Sequence, residues 1–154
     1  NGVYGFKSIQ IISNSATHRD VVIDLKRQLI TSNVEVFSPD AAKSTNPELV
    51  LELDQTLLKS STSSTNGLGA QTSELLTMSQ AYVVTDTATD KVVAQGTAKV
   101  WRDRLINSEL RQIQSQMRTD LSQQILQRLQ RLPRVESSSA LLNSTLPNVA
   151  MRAQ

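Results

Sequence analysis

His18 is the first residue to consider for catalysis, because it is the single histidine of the sequence and histidine is the commonest general base near neutral pH. A Ser-His-acid triad would therefore have to use it. Its spacing from Val22, Leu25 and Leu29 instead extends the apolar stripe of a predicted helix. The sequence thus predicts a half-packed structural histidine at the start of that helix.

Gly67 and Gly69 lie in an Asn-Gly-Leu-Gly stretch that superficially resembles a phosphate-binding loop. The stretch lacks the Lys and Ser/Thr of a P-loop, and it lacks the third glycine of a dinucleotide fingerprint. Small polar residues surround it over Ser60–Thr72, which is typical of a turn. We therefore expect a mobile hairpin tip between two long strands here.

Glu52 and Asp54 form the only other arrangement that suggests acid–base chemistry, since residues two apart share one face of a strand. The opposite face of the strand carries alternating leucines, which predicts that it is the buried one: Leu49, Leu51, Leu53 and Leu57. The face of Glu52 and Asp54 is then exposed to solvent, so both carboxylates are expected to be solvated. The chain has no cysteine, and one histidine cannot form a histidine-based zinc site. We expect no enzymatic activity, no metal and no cofactor.

Positive charge is the remaining chemical feature. Lys99, Arg102 and Arg104 crowd the end of the last predicted strand beside Trp101, and could contact an anionic lipid or protein surface. The alternative is that each is a solitary solvated charge. The formal charge is only +2, from 16 basic and 14 acidic residues, so no nucleic-acid partner is expected.

Length and patterning give the architecture that must position these residues. The 154 residues, 38% of them hydrophobic, suit one domain over 1–133 with a flexible tail over 134–154. Period-2 and period-3.6 patterns predict these elements: a strand at Lys7–Ser13, a helix at His18–Thr31 capped from Asn14–Thr17, a short strand-like Val34–Phe37, strands from Leu49, at Glu74–Thr85 and at Lys91–Asp103, and a helix at Ser108–Leu132.

The predicted fold is α+β, in the order β-α-β-β-β-α. Two helices pack on one face of a four-stranded, mostly antiparallel sheet, because each then buries the apolar stripe of the other layer. The last strand should bury Val92, Ala94, Ala98 and Val100. No apolar run approaches the ~20 residues that span a bilayer, and we expect any secretion signal or lipidation site to lie upstream of Asn1.

From Lys7 to Pro133 the sequence resembles the lipopolysaccharide-assembly lipoprotein (LptE) family. The resemblance rests on the order and spacing of several segments: KSIQIIS, RQLITSNVEVF, PELVL, an Asn-Gly-containing tip before TSELL, KVWR and QRLQRLP.

The resemblance implies a component of the outer-membrane lipopolysaccharide translocon, lipid-anchored on the periplasmic side through an N-terminal anchor. Such a protein forms a heterodimer with an LptD-type β-barrel, which it plugs and helps to assemble. It also binds lipopolysaccharide for delivery to the outer leaflet. The implied lipid contacts are basic residues near the end of the sheet, here Lys59, Lys99, Arg102 and Arg104.

Two other classes of function remain open. One is a different periplasmic adaptor, such as a secretin pilotin or a chaperone, which would copurify with another partner. The other is a small-ligand binding domain that uses the open sheet face. A deep apolar pocket between helix and sheet would favour this alternative.

Overall fold

The computed structural model describes residues 3–38 and 46–133, so the predicted tail at 134–154 lies outside the described residues. The elements are β1 Ser8–Ile12, α1 Arg19–Thr31, β2 Glu35–Phe37, β3 Leu49–Thr65, β4 Gln71–Asp86, β5 Lys91–Leu105 and α2 Leu110–Gln130. Within the described ranges, neither helix is long and apolar enough to cross a bilayer.

The sheet has five strands in the order β2-β1-β3-β4-β5. β1 pairs in parallel with both β2 and β3, whereas β3–β4 and β4–β5 are antiparallel. The α+β class and the two helices are confirmed. The prediction of four mostly antiparallel strands is wrong in detail, because the three-residue β2 is too short for a pattern and α1 returns the chain parallel to β1.

The two helices contact each other and share one face of the sheet. The predicted stripe of α2 is buried from Met117 to Leu132, and Ser122 and Leu126 are buried beside it. The buried residues of α1 are Val21, Leu25 and Leu29, whereas the sequence predicted Val22 in the place of Val21. A small residue suits the helix crossing, where the Ser122 hydroxyl lies 3.5 Å from the Val21 carbonyl oxygen.

Two irregularities in strand pairing place Leu57 and Val92 on the face of the sheet opposite to the one that the sequence predicted. In β3, Leu53 lies opposite Tyr82 but Thr56 lies opposite Gln80, so one extra residue is inserted. Leu57, predicted to be buried, is consequently 40% exposed on the face away from the helices. A second shift at Val84 and Thr85 leaves Val92 53% exposed, which corrects the prediction for that residue too.

The bulge in β3 is held by polar groups in the core. The fully buried Gln80 donates from Nε2 to the Asp54 carbonyl oxygen (2.6 Å), and the Thr56 hydroxyl donates to its Oε1. The Thr17 hydroxyl donates to the same Asp54 carbonyl (2.9 Å). These bonds satisfy buried polar atoms that the bulge would otherwise orphan, and they fasten the β1–α1 loop to β3.

The hairpin between β3 and β4 is longer and tighter than the sequence suggested. The strands continue to Thr65 and resume at Gln71, so the predicted tip over Ser60–Thr72 shrinks to residues 66–70. Asn66 Oδ1 accepts hydrogen bonds from two backbone amides of the turn, and Gly69 has φ +86°, a conformation that favours glycine.

Candidate functional site: the open face of the sheet

On the face of the sheet opposite the helices, two exposed lysines and the exposed Trp101 lie close together. Strand pairing aligns Leu57, Ser79 and Lys99 in one row across β3, β4 and β5. The next row holds Lys59, Thr77 and Trp101. We call Leu57, Lys59, Lys99 and Trp101 the Lys-Trp patch.

Ordinary strand spacing fixes the dimensions of this patch. The Cα atoms of Lys99 and Trp101 should be about 7 Å apart along β5, and those of Lys59 and Trp101 about 10 Å apart across two strands. The two lysine Cα atoms then lie about 12 Å apart. Trp101 is 57% exposed and Leu57 40%, so the patch combines two cations with an apolar surface between them.

The lysines of the patch are free to meet a ligand. Within residues 3–38 and 46–133, neither the Lys59 nor the Lys99 side chain has an ion pair or hydrogen bond, and both residues are exposed. The acidic residues of this face lie outside the two rows among the described residues. Asp103 follows one row beyond Trp101, Glu52 lies two rows before Lys99, and Asp54 lies at the bulge between Leu53 and Thr56.

Arg102 and Arg104, the other two residues expected to contact lipid, point to the helix side of the same strand. Arg102 pairs with Asp120 of α2 and donates to the Trp101 carbonyl oxygen (2.7 Å). Arg104 pairs with Glu74, and both side chains are largely buried. The structure therefore does not bring the predicted basic residues into one patch, because alternate residues of a strand face opposite sides.

The backbone under the patch is held by side chains at the outer edge of β5. Gln124 of α2 accepts a hydrogen bond from the Lys99 amide (3.2 Å) and donates to the Lys99 carbonyl (2.7 Å). This reproduces the pair of bonds that a neighbouring antiparallel strand would make. Together with the Arg102 bond to Trp101, it fixes the strand where both patch residues originate and covers part of an exposed edge.

A cavity of about 620 Å³ opens on the same face, nearer the β4–β5 turn. Its rim includes Glu52, Asp54, Gln95 and Thr97. Asn14 donates to the Asp54 carboxylate (3.3 Å), and both carboxylates are exposed, as predicted for Glu52 and Asp54. This cavity therefore differs from the deep apolar pocket between helix and sheet that a small-ligand domain would use.

His18 has a structural role at the start of α1. Its Nδ1 accepts a hydrogen bond from the Asp20 amide (3.1 Å), so His18 itself is the N-cap that the sequence assigned to Asn14–Thr17. The ring is exposed rather than half-packed. In the part of the chain that the structure describes, no three His, Cys, Asp or Glu residues cluster to hold a metal ion.

No family model matches the sequence, and no curated protein matches it either. Solved structures do share its architecture. The crystal structure of rare lipoprotein B from Shewanella oneidensis aligns with a TM-score of 0.64 at 19% identity, covering 90% of this chain and 99% of that one.

Two further structures agree with this match. Uncharacterized lipoprotein B from Nitrosomonas europaea gives a TM-score of 0.66 at 17% identity, covering 90% of this chain and 88% of that one. A minor lipoprotein from Acinetobacter baumannii gives 0.60 at 22% identity, covering 84% and 96%. The chain therefore has the rare lipoprotein B fold, which is the LptE-type fold that the sequence resemblance predicted.

Proposed function

We propose that this chain is a lipopolysaccharide-assembly lipoprotein of the outer membrane, anchored by lipid on the periplasmic side. It forms a heterodimer with an LptD-type β-barrel, plugs and helps assemble that barrel, and binds lipopolysaccharide for delivery to the outer leaflet. The observation that carries the proposal is the match to rare lipoprotein B over 90% of the chain, across the region where the sequence also resembles LptE.

The surface of the molecule supports a large protein partner. β1 pairs with β3 only over Leu49–Glu52. Beyond Thr56, β3 pairs with β4 on one side, and its other edge has no neighbouring strand among the described residues. From Ser60 to Thr65 the strand is exposed and consists of serine and threonine alone. A long, uncharged strand edge with unpaired backbone groups is a surface that invites pairing with another chain.

Lipopolysaccharide contact is proposed at Lys59, Lys99, Arg102 and Arg104. The two arginines already neutralise Asp120 and Glu74, so binding an anionic lipid there would require those ion pairs to be exchanged. The two lysines need no such exchange. The contribution of Lys59 and Lys99 is therefore expected to dominate.

Copurification tests the partnership. An affinity-tagged chain with its native anchor is expressed in its own cells, and proteins recovered from solubilised outer membranes are identified by mass spectrometry. We expect an LptD-type β-barrel in a one-to-one ratio, and a tagged unrelated lipoprotein serves as the control. Recovery of a secretin would point to the pilotin alternative, and recovery without any barrel would refute the proposed partnership.

A further inference from the structure

We propose that the Lys-Trp patch binds the phosphorylated sugar headgroup of lipopolysaccharide, with the Trp101 indole against a sugar ring and Lys59 and Lys99 on its phosphates. This inference rests on the proposed function and deepens it. It assigns the headgroup to the face of the sheet opposite the helices and adds Trp101 to the site. It also narrows the four basic contacts of the proposed function to Lys59 and Lys99, because Arg102 and Arg104 lie on the helix side in ion pairs.

Charge is the first argument. Arg102, Arg104 and Arg118 each meet a carboxylate, whereas the side chains of Lys59 and Lys99 meet none among the described residues. A cation already in an ion pair gains little from a second anion. Lysine ammonium groups on flexible stems bind phosphate as point charges, and their stems let two lysines adjust to one headgroup.

The exposed tryptophan is the second argument. Trp101 is the sole tryptophan of the chain, and more than half of its surface faces solvent. An indole on a flat sheet offers an apolar plane with a polar N–H, which suits the C–H face of a sugar ring with a hydroxyl at its edge. The bonds from Gln124 to Lys99 and from Arg102 to Trp101 hold the backbone, so the plane is presented without reordering the strand.

The extent of the charge is the third argument, and it favours a compact anion. Glu52 and Asp103 lie on the same face on either side of the two rows. A nucleic acid or a flat anionic membrane would bring negative charge against these carboxylates as well as against the lysines. An anionic headgroup about the size of the patch contacts Lys59 and Lys99 without approaching the carboxylates of Glu52 and Asp103.

Fluorescence of the native protein tests the inference, because emission from the chain comes from Trp101 alone at selective excitation. Purified lipopolysaccharide is titrated into the full chain, while binding is measured independently by calorimetry. We expect the Trp101 emission to shift and to become shielded from an aqueous quencher in step with binding. Dephosphorylated lipopolysaccharide should bind at least about ten-fold more weakly, and added salt should weaken the intact ligand.

Four variants locate the site. Lys59→Ala/Lys99→Ala should weaken binding about ten-fold, since two wet charge contacts are lost. Arg111→Ala/Arg131→Ala removes the same charge from exposed positions on the α2 segment and should bind like the parent. Trp101→Leu should weaken binding several-fold, and Trp101→Phe should recover most of it. The three mutated positions of the patch, Lys59, Lys99 and Trp101, are exposed, so melting temperatures should match the parent.

The outcomes separate this inference from the function on which it rests. Binding with unchanged Trp101 emission and an unaffected double-lysine variant would overturn the patch assignment and leave lipopolysaccharide binding in place. Equal binding to phosphatidylglycerol vesicles would overturn the sugar assignment. Loss of all lipopolysaccharide binding in the parent chain would overturn this inference together with the lipid-binding part of the proposed function, while copurification with a barrel would still test the partnership.

Discussion

Leu121 anchors α2 to the sheet, and shortening it should be costly. The side chain is 0% exposed and lies in the middle of the buried stripe between Met117 and Ile125. Leucine-to-alanine changes at such sites cost about 2–5 kcal/mol, because apolar contact is lost and a cavity remains. We take about 3 kcal/mol for Leu121→Ala, which at roughly 3 °C per kcal/mol in a chain of this size lowers the melting temperature by about 10 °C.

The same position should not accept a charge at all. Leu121→Asp adds the cost of burying a carboxylate without a partner, and the total approaches the whole stability of about 5–15 kcal/mol of a natural domain. Gln123→Asp, at an exposed position of the same helix, is the matched control and should melt within about 2 °C of the parent. Urea and thermal unfolding followed by circular dichroism measure all three. If Leu121→Asp melted like Gln123→Asp, the assigned face of α2 would be wrong.

Three smaller predictions concern the side chains of Gln80 and Gln124 and the C-terminal limit of the folded domain. Gln80→Leu removes the buried amide that bonds the Asp54 carbonyl at the bulge and should cost about 1–3 kcal/mol by urea unfolding, whereas an unchanged midpoint would mean that the bulge holds without it. Gln124→Ala exposes the backbone N–H and C=O of Lys99 at the edge of β5, so light scattering should detect more self-association than in the parent. Equal scattering would show that Gln124 does not protect this edge from pairing. Deleting 134–154 should leave the melting temperature within about 3 °C of the full chain, because the sequence after Pro133 lacks the sustained apolar periodicity of a core element, and a larger fall would show that those residues contribute.

Regular periodicity made most of the fold predictable. The leucines of α2 repeat at helical spacing over many turns, and all the predicted positions from Met117 to Leu132 are buried. Ala94, Ala98 and Val100 are buried as alternation requires. β2 was predicted only as a strand-like segment and was left out of the four-stranded sheet, because three residues carry no period and its parallel partner is distant in sequence.

The candidate site was less predictable, since it depends on which face each strand residue occupies. A single inserted residue in β3 turns Leu57 outward, and no local pattern marks that insertion apart from the Gln80 that sustains it from another strand. The separation of Lys99 from Arg102 follows from alternation alone and could have been found. The carboxylates that engage Arg102 and Arg104 lie on other elements, so their pairing required the folded structure.

Depletion of the chain in its own cells tests the proposed function most directly, with newly made lipopolysaccharide labelled and its arrival at the cell surface followed over time. The proposed function predicts that labelled lipopolysaccharide stops reaching the outer leaflet while its synthesis continues, and that re-expression of the chain restores delivery. Unchanged delivery after complete depletion would contradict the assignment to the lipopolysaccharide translocon.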